Sequence, residues 1–246
     1  MELEGTAFIV MTGIAAGLFA LMHIFIGRLA FIDVLPRSRW LSVAGGIAVA
    51  YVFLRILPEL STHQETFANG LGVPAQTAES WVYLVAFAGL AVFYGLERAA
   101  KLSRQSGGEE LVQSELLWLH LFAFAIYNVV IGYLLLHRDD PGFWSLIIYM
   151  VAILLHFMTS DYGLRQDQKG LYDRFGRWII AAAVIAGWAI GVFASLPQLV
   201  VGFLFAFVAG GIMLNVLKEE LPEERKSKFW PFAFGGVSYS VLLLLI

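Results

Sequence analysis

Apolar runs long enough to cross a bilayer recur from one end of this chain to the other, and they constrain its fold more than any other feature. A transmembrane helix needs about 20 mostly apolar residues. Lipid offers the backbone no hydrogen-bond partner, so each span must satisfy its own N–H and C=O groups. Such runs fall at about 6–27, 40–60, 81–97, 115–136, 142–163, 175–195, 197–217 and 229–246. The expectation is an all-α integral membrane protein with eight transmembrane helices, residues 1–246 forming a single polytopic domain. Composition agrees, since 59% hydrophobic against 14% charged residues and a mean hydropathy of +0.76 lie outside the usage of soluble domains. The absence of cysteine removes disulfides, thiolate metal ligands and a cysteine nucleophile. The first run follows MELEG without a basic n-region or a small-residue cleavage site, and reads as a retained helix rather than a signal peptide.

Basic residues orient these spans. With the N-terminus outside, the inward connections carry Arg28, Arg37 and Arg39; Arg98, Lys101 and Arg104; Arg165, Lys169, Arg174 and Arg177; and Lys218, Arg225, Lys226 and Lys228. Arg138 alone falls on an outward connection, and Arg55 stands inside a span. The positive-inside rule then places both termini on the non-cytoplasmic side of a cell membrane. A span count of the other parity would scatter these charges to both sides.

One pattern is written twice. AGGIAVAYVFLRILPE, Ala44 to Glu59, lies in the second span, and AGGIMLNVLKEELPE, Ala209 to Glu223, lies in the seventh. The two copies run in opposite directions through the membrane. Such inverted repeats are common in transporters, where two similar halves make the inward-open and outward-open states nearly equivalent. On that reading spans 1–3 and 6–8 form the repeat, and spans 4 and 5 are central. The alternative is that the glycines serve close helix packing and that Pro-Glu is an ordinary helix terminator. Polar residues in the central spans carry weight on either reading, because ionisable groups inside spans are expensive and mark pathways or buried pairs. Asn128 lies near the middle of the fourth, and His156, Thr159, Ser160 and Asp161 lie in the second half of the fifth. At helical spacing His156, Thr159 and Ser160 share a face, and Asp161 is rotated away from His156.

At these residues the chain resembles the ZIP (Zrt/Irt-like protein) family of divalent-metal transporters, whose members have eight spans, an inverted relation between spans 1–3 and 6–8, and a metal site between spans 4 and 5. The family's fourth span typically reads HNxxDG or HNxxEG, and the matching string here is YNVVIG, Tyr127 to Gly132. Its fifth reads HExPHE, and the matching string is HFMTSD, His156 to Asp161. Its second carries a His shortly before Leu-Pro-Glu, where this chain has Arg55 in RILPE. The resemblance implies alternating-access transport of zinc, iron or a similar divalent cation, with Asn128, His156 and Asp161 as metal ligands and Tyr127, Ser160 and Arg55 on the transport pathway. The metal would be substrate rather than cofactor. The partners implied are membrane lipids, a small inorganic cation or other small solute, and a second copy in a homodimer.

The chain departs from the family pattern where the chemistry lies. Tyr127 stands for a His, Ile131 for a carboxylate, Phe157 for an acidic residue, Thr159 for a kink-forming Pro and Ser160 for a His or Glu. The loop 98–114 has no His cluster. A divalent ion leaving water needs anionic ligands, so a second function stands beside the first: a ZIP-like protein without metal transport, acting as a binding, sensing or scaffold component, or moving a non-cationic solute.

Each residue also has a plainer role open to it. Asn128 and His156 could bond neighbouring helices, Asp161 could pair with Arg165 and Arg55 with Glu59 at i,i+4 spacing, and His23 and His120 could serve packing or the interface. His63, Glu65 and Glu79 in a polar segment 61–80 could collect cations loosely, and the acidic run from Glu219 to Glu224 could be a solvated helix end or an exit for metal. Trp40, Trp81, Trp118, Trp144, Trp178 and Trp230 near span ends suit interfacial belts. No Gly-x-Ser-x-Gly, HExxH or P-loop occurs, so no enzyme is expected, and no basic surface with interleaved aromatics points to nucleic acid.

Overall fold

The computed structural model describes residues 5–28, 39–105, 110–138, 142–167, 169–220 and 228–245, and it is built of helices. Helix α1 (Gly5–Phe25) ends in a 3₁₀ turn, and α2 (Arg39–Tyr51) passes through a π-helical segment, Val52–Ile56, into α3 (Leu57–Leu71). Then come α4 (Ala75–Gln105), α5 (Glu110–Leu134) and α6 (Phe143–Asp167). A short α7 (Lys169–Leu171) and a second π segment, Tyr172–Gly176, lead into α8 (Arg177–Phe193), followed by α9 (Gln198–Glu220) and α10 (Phe229–Leu244).

Among the described residues, six helices are long and apolar enough to cross a membrane, and Trp118–Leu134 and Phe229–Leu244 form two shorter apolar helices. Trp118–Leu134 is part of α5, which runs from Glu110 to Leu134. At about 1.5 Å per residue the 16 residues of α10 fall short of a hydrocarbon core about 30 Å thick. The outer face is nevertheless apolar: Ile14, Leu84, Phe87, Phe122, Phe234 and Val237 are all exposed, which suits a lipid environment and not water. The six Trp residues named above are exposed as well.

The first Leu-Pro-Glu does not end its helix. A proline inside a helix removes an N–H and crowds the carbonyl four residues back. Here the preceding turn is widened, with the Leu57 N–H bonded to the Val52 carbonyl five residues earlier, so the chain continues past Pro58. It stops only where Gly72 adopts a left-handed conformation (φ 65°) and donates its N–H to the Ala68 carbonyl. The polar segment expected over 61–80 is therefore mostly two helices joined at 72–74. His63 is buried in α3, with its ring 5.0 Å from that of Phe205 in α9. The second Leu-Pro-Glu, at 221–223, lies outside the described residues, as do Arg37, Glu224, Arg225 and Lys226.

Three helix pairs meet through reciprocal glycines. In α2 and α10, a Cβ on Gly46 would lie 1.9 Å from the Phe232 carbonyl oxygen, and one on Gly235 would lie 2.2 Å from that of Val43. In α4 and α9, Gly89 would meet the Phe207 oxygen at 2.0 Å and Gly210 the Ala86 oxygen at 1.8 Å. In α5 and α8, Gly132 would meet the Val184 oxygen at 2.1 Å and Gly187 the Val129 oxygen at 2.0 Å. Only glycine permits such backbone approach. Both Ala-Gly-Gly strings thus have a physical reason: each places a glycine at a helix crossing. Helix α6 lies inside this frame, packed against α1, α2 and α9, with Phe157 and Ile153 in the main core beside Phe19 and Ile131.

Candidate site in the core of the bundle

Helix α6 runs from Phe143 to Asp167 without interruption. Thr159, standing where a proline would bend the helix, keeps its N–H, and its hydroxyl donates to the His156 carbonyl at 2.9 Å. In a regular helix, positions 156 and 161 are about 140° apart around the axis. The two residues accordingly face different neighbours.

His156 faces α5. Its Nε2 lies 2.8 Å from the Tyr127 hydroxyl and 3.4 Å from the Ser160 hydroxyl. Asn128 follows Tyr127 on α5, and its Nδ2 donates to the Phe124 carbonyl at 2.9 Å. His156 Nδ1 and Asn128 Oδ1 are buried without a hydrogen-bond partner, as are His23 Nε2 and Asn215 Nδ2 nearby. Such orphans are rare in interiors, because an unpaired buried polar group costs roughly 1–3 kcal/mol.

Asp161 faces α1 and the second π segment. Its Oδ2 lies 2.6 Å from His23 Nδ1 and accepts the Tyr172 hydroxyl at 2.8 Å; the Tyr172 oxygen is also 3.1 Å from the His23 carbonyl. All three residues are buried. Arg165 does not take Asp161 as its i,i+4 partner. Its guanidinium makes a two-pronged pair with Asp173, at 2.7 and 3.2 Å, because Asp161 is turned into the core and Asp173 comes within reach on the π segment. The Phe157 ring separates the two halves of the cluster, 4.4 Å from the His23 ring and 6.0 Å from the His156 ring. The three residues implied as metal ligands thus have separate partners: His156 meets Tyr127 and Ser160, Asp161 meets His23 and Tyr172, and Asn128 bonds to a carbonyl of its own helix. Among the described residues no group of three or more His, Asp or Glu is placed to hold a metal ion.

Cavities lie at both ends of the bundle, and the smaller one touches the cluster through Ser160. At the end where α6 finishes, a space of about 20 Å³ is lined by Glu97, His120, Ser160, Asn215 and Lys218, among others. Ser160 connects it to His156, and Lys218 closes on Glu97 as an ion pair between α9 and α4. At the opposite end a cavity of about 190 Å³ is lined by Tyr51, Arg55, Glu59, Arg138, Ser145 and Tyr149, among others. Arg55 pairs with Glu59 at 3.6 Å, as their spacing suggested.

Spacing alone gives His23 and Tyr172 no special place. His23 is a lone histidine in an apolar run, and Tyr172 lies among the charged residues before α8. The available signal is that a buried Asp and a buried His each need a partner. Pairing them would have linked the first span to the fifth.

No protein-family model matches the chain, and no curated protein or solved structure matches it. The class defined by fold and surface is an all-helical protein with several helices able to cross a membrane and a buried polar cluster at its centre.

Proposed function

We propose that the chain is a ZIP-like membrane transporter that carries a divalent cation such as zinc or iron by alternating access, with its substrate site between α5 and α6. The observation that carries this reading is the pair of orphaned buried atoms, His156 Nδ1 and Asn128 Oδ1, on the two helices that the resemblance singles out. An imidazole nitrogen and an amide oxygen are metal donors, and Asp161 supplies the negative charge a cation leaving water requires. In this reading eight spans cross the membrane with both termini on the non-cytoplasmic side. The antiparallel Ala-Gly-Gly helices α2 and α9 belong to two inverted halves, each gripping a neighbour, α10 and α4, through a glycine crossing. Loading requires Asp161 to exchange His23 for the metal, or a water to bridge them. Calorimetric titration of the purified protein with Zn²⁺, Fe²⁺ and Mn²⁺ tests the reading. Binding should weaken markedly in His156→Ala and Asn128→Ala, and no binding in the parent protein sinks it.

A second reading is favoured by a different observation. Asp161 Oδ2 is already engaged by His23 and Tyr172, and Phe157 fills an acidic ligand's place in the core. A ZIP-like protein that binds, senses or scaffolds, or moves a non-cationic solute, has no need to free that carboxylate. Metal accumulation in proteoliposomes that depends on His156 excludes it.

A further inference from the structure

We infer that the cavity at the start of α6 is a binding site for a phosphate-class oxyanion, held between Arg55 and Arg138. The two side chains come from different elements, Arg55 from the π segment between α2 and α3 and Arg138 from the connection between α5 and α6, and both line the same space. A π turn inside a helix often marks a functional position, and this one puts a guanidinium into a cavity rather than onto lipid.

Both arginines have polar or aromatic neighbours in the cavity wall. The Arg138 guanidinium carbon lies 5.6 Å from the Tyr149 ring centroid, and its NH1 donates to the Ser145 hydroxyl at 3.2 Å. Arg55 meets Glu59 at 3.6 Å, beyond the roughly 2.7–2.9 Å of a strong charge-assisted hydrogen bond. The closed Arg165–Asp173 fork, at 2.7 Å, is the contrast within this chain. Among the lining residues are two guanidiniums, one carboxylate, a serine and two tyrosines, a donor-rich wall. A planar carboxylate is satisfied by one fork, whereas a tetrahedral oxyanion accepts from two forks approaching from different directions. At about 190 Å³ the space holds about six waters' worth of volume at about 30 Å³ each, enough for a phosphate and part of what it is esterified to.

Two sources of the same chemistry are open to the site. Leu243, near the end of α10, lines the cavity, and exposed Trp144 sits in the first turn of α6, so the phosphate of a lipid headgroup or a free phosphate ester could reach it. The assignment is independent of the metal reading, and its test is run with chelator present. Full-length protein in detergent is titrated with orthophosphate at constant ionic strength against chloride, and thermal unfolding is followed by tryptophan fluorescence. In parallel, native mass spectrometry measures retention of phosphatidylglycerol over phosphatidylcholine. Saturable stabilisation by orthophosphate identifies a free oxyanion, and preferential phosphatidylglycerol retention alone identifies the lipid source. In either arm Arg138→Gln or Arg55→Gln should weaken binding at least about tenfold. Ser145→Ala, which loosens the Arg138 fork without removing charge, should give a smaller loss and serves where an arginine variant fails to fold. No binding in either arm, or binding that these variants retain at parental strength, overturns the assignment.

Discussion

His23 and Asp161 lie 138 residues apart in sequence, yet Nδ1 of one is 2.6 Å from Oδ2 of the other, and both side chains are almost wholly buried. This contact ties α1 to α6 where neither side chain reaches the surface. Removing one member of such a pair leaves the other stranded, at a cost of about 3–5 kcal/mol. His23→Ala and Asp161→Ala should each lower the thermal midpoint in detergent by several degrees. The double variant should lose much less than the sum of the two. Additive losses would mean that the two residues do not stabilise one another. Tyr172→Phe, which removes the second hydrogen bond to Asp161, should cost about 1–3 kcal/mol.

The glycine crossings separate two kinds of glycine. Gly46→Leu and Gly210→Leu would drive a side chain into backbone carbonyls less than 2 Å from the new Cβ. Each should yield protein that expresses poorly or unfolds well below the parent, since backbone has no rotamer by which to move aside. At Gly17 and Gly95, by contrast, an added Cβ would have nothing within 4 Å. Replacing either by Ala should be neutral or stabilise by up to about 1 kcal/mol, the helix-propensity gain. Thermal melts of the four variants decide the matter, and similar losses in all four would contradict the crossings.

Asn128 offers a sharper test of function than a loss of activity alone. Its Oδ1 is buried without a partner, so the residue carries a desolvation penalty and returns only one side-chain hydrogen bond, to the Phe124 carbonyl. Asn128→Leu removes the orphan and keeps the number and branching of the side-chain heavy atoms. The expected outcome is an unchanged or raised thermal midpoint together with lost substrate binding, the trade-off of a residue kept for function. If Asn128 instead glues helices together, the same substitution lowers the midpoint, and substrate binding falls only in proportion.

Much of this arrangement is legible in the chain because membrane helices are written in length and hydropathy. The apolar runs anticipate the helices, and Asn128, His156 and Asp161 stand out as polar residues that lipid would not tolerate. What sequence conceals is set by geometry between distant segments. Pro58 reads as a stop, and a single widened turn carries the helix past it to Leu71. Asp161 and Arg165 read as neighbours on one face, and burial turns the first to His23 while the π segment brings Asp173 to the second. His23 and Tyr172 acquire meaning only through Asp161, a contact that no local pattern encodes.

Ser160 is buried at the end of the small space that Glu97 and Lys218 line, and the ion pair between those two residues joins α4 to α9 across that space. At about 20 Å³ the space is smaller than one water's share of the liquid, about 30 Å³, so a reagent needs the bundle to open here, as it would if α4 and α9 parted. The chain has no cysteine, and a single thiol introduced as Ser160→Cys therefore reports this route without background. It should react slowly with a small charged methanethiosulfonate. Adding Lys218→Ala or Glu97→Gln should speed the reaction several-fold, because the ion pair that closes α4 on α9 at this end of the bundle is gone. Ala152→Cys, buried on the same helix away from that space, controls for general loosening and should stay unreactive in every background. Equal rates at Ser160→Cys with and without the ion pair would show that Glu97 and Lys218 do not gate the bundle, and that any access to His156 runs elsewhere.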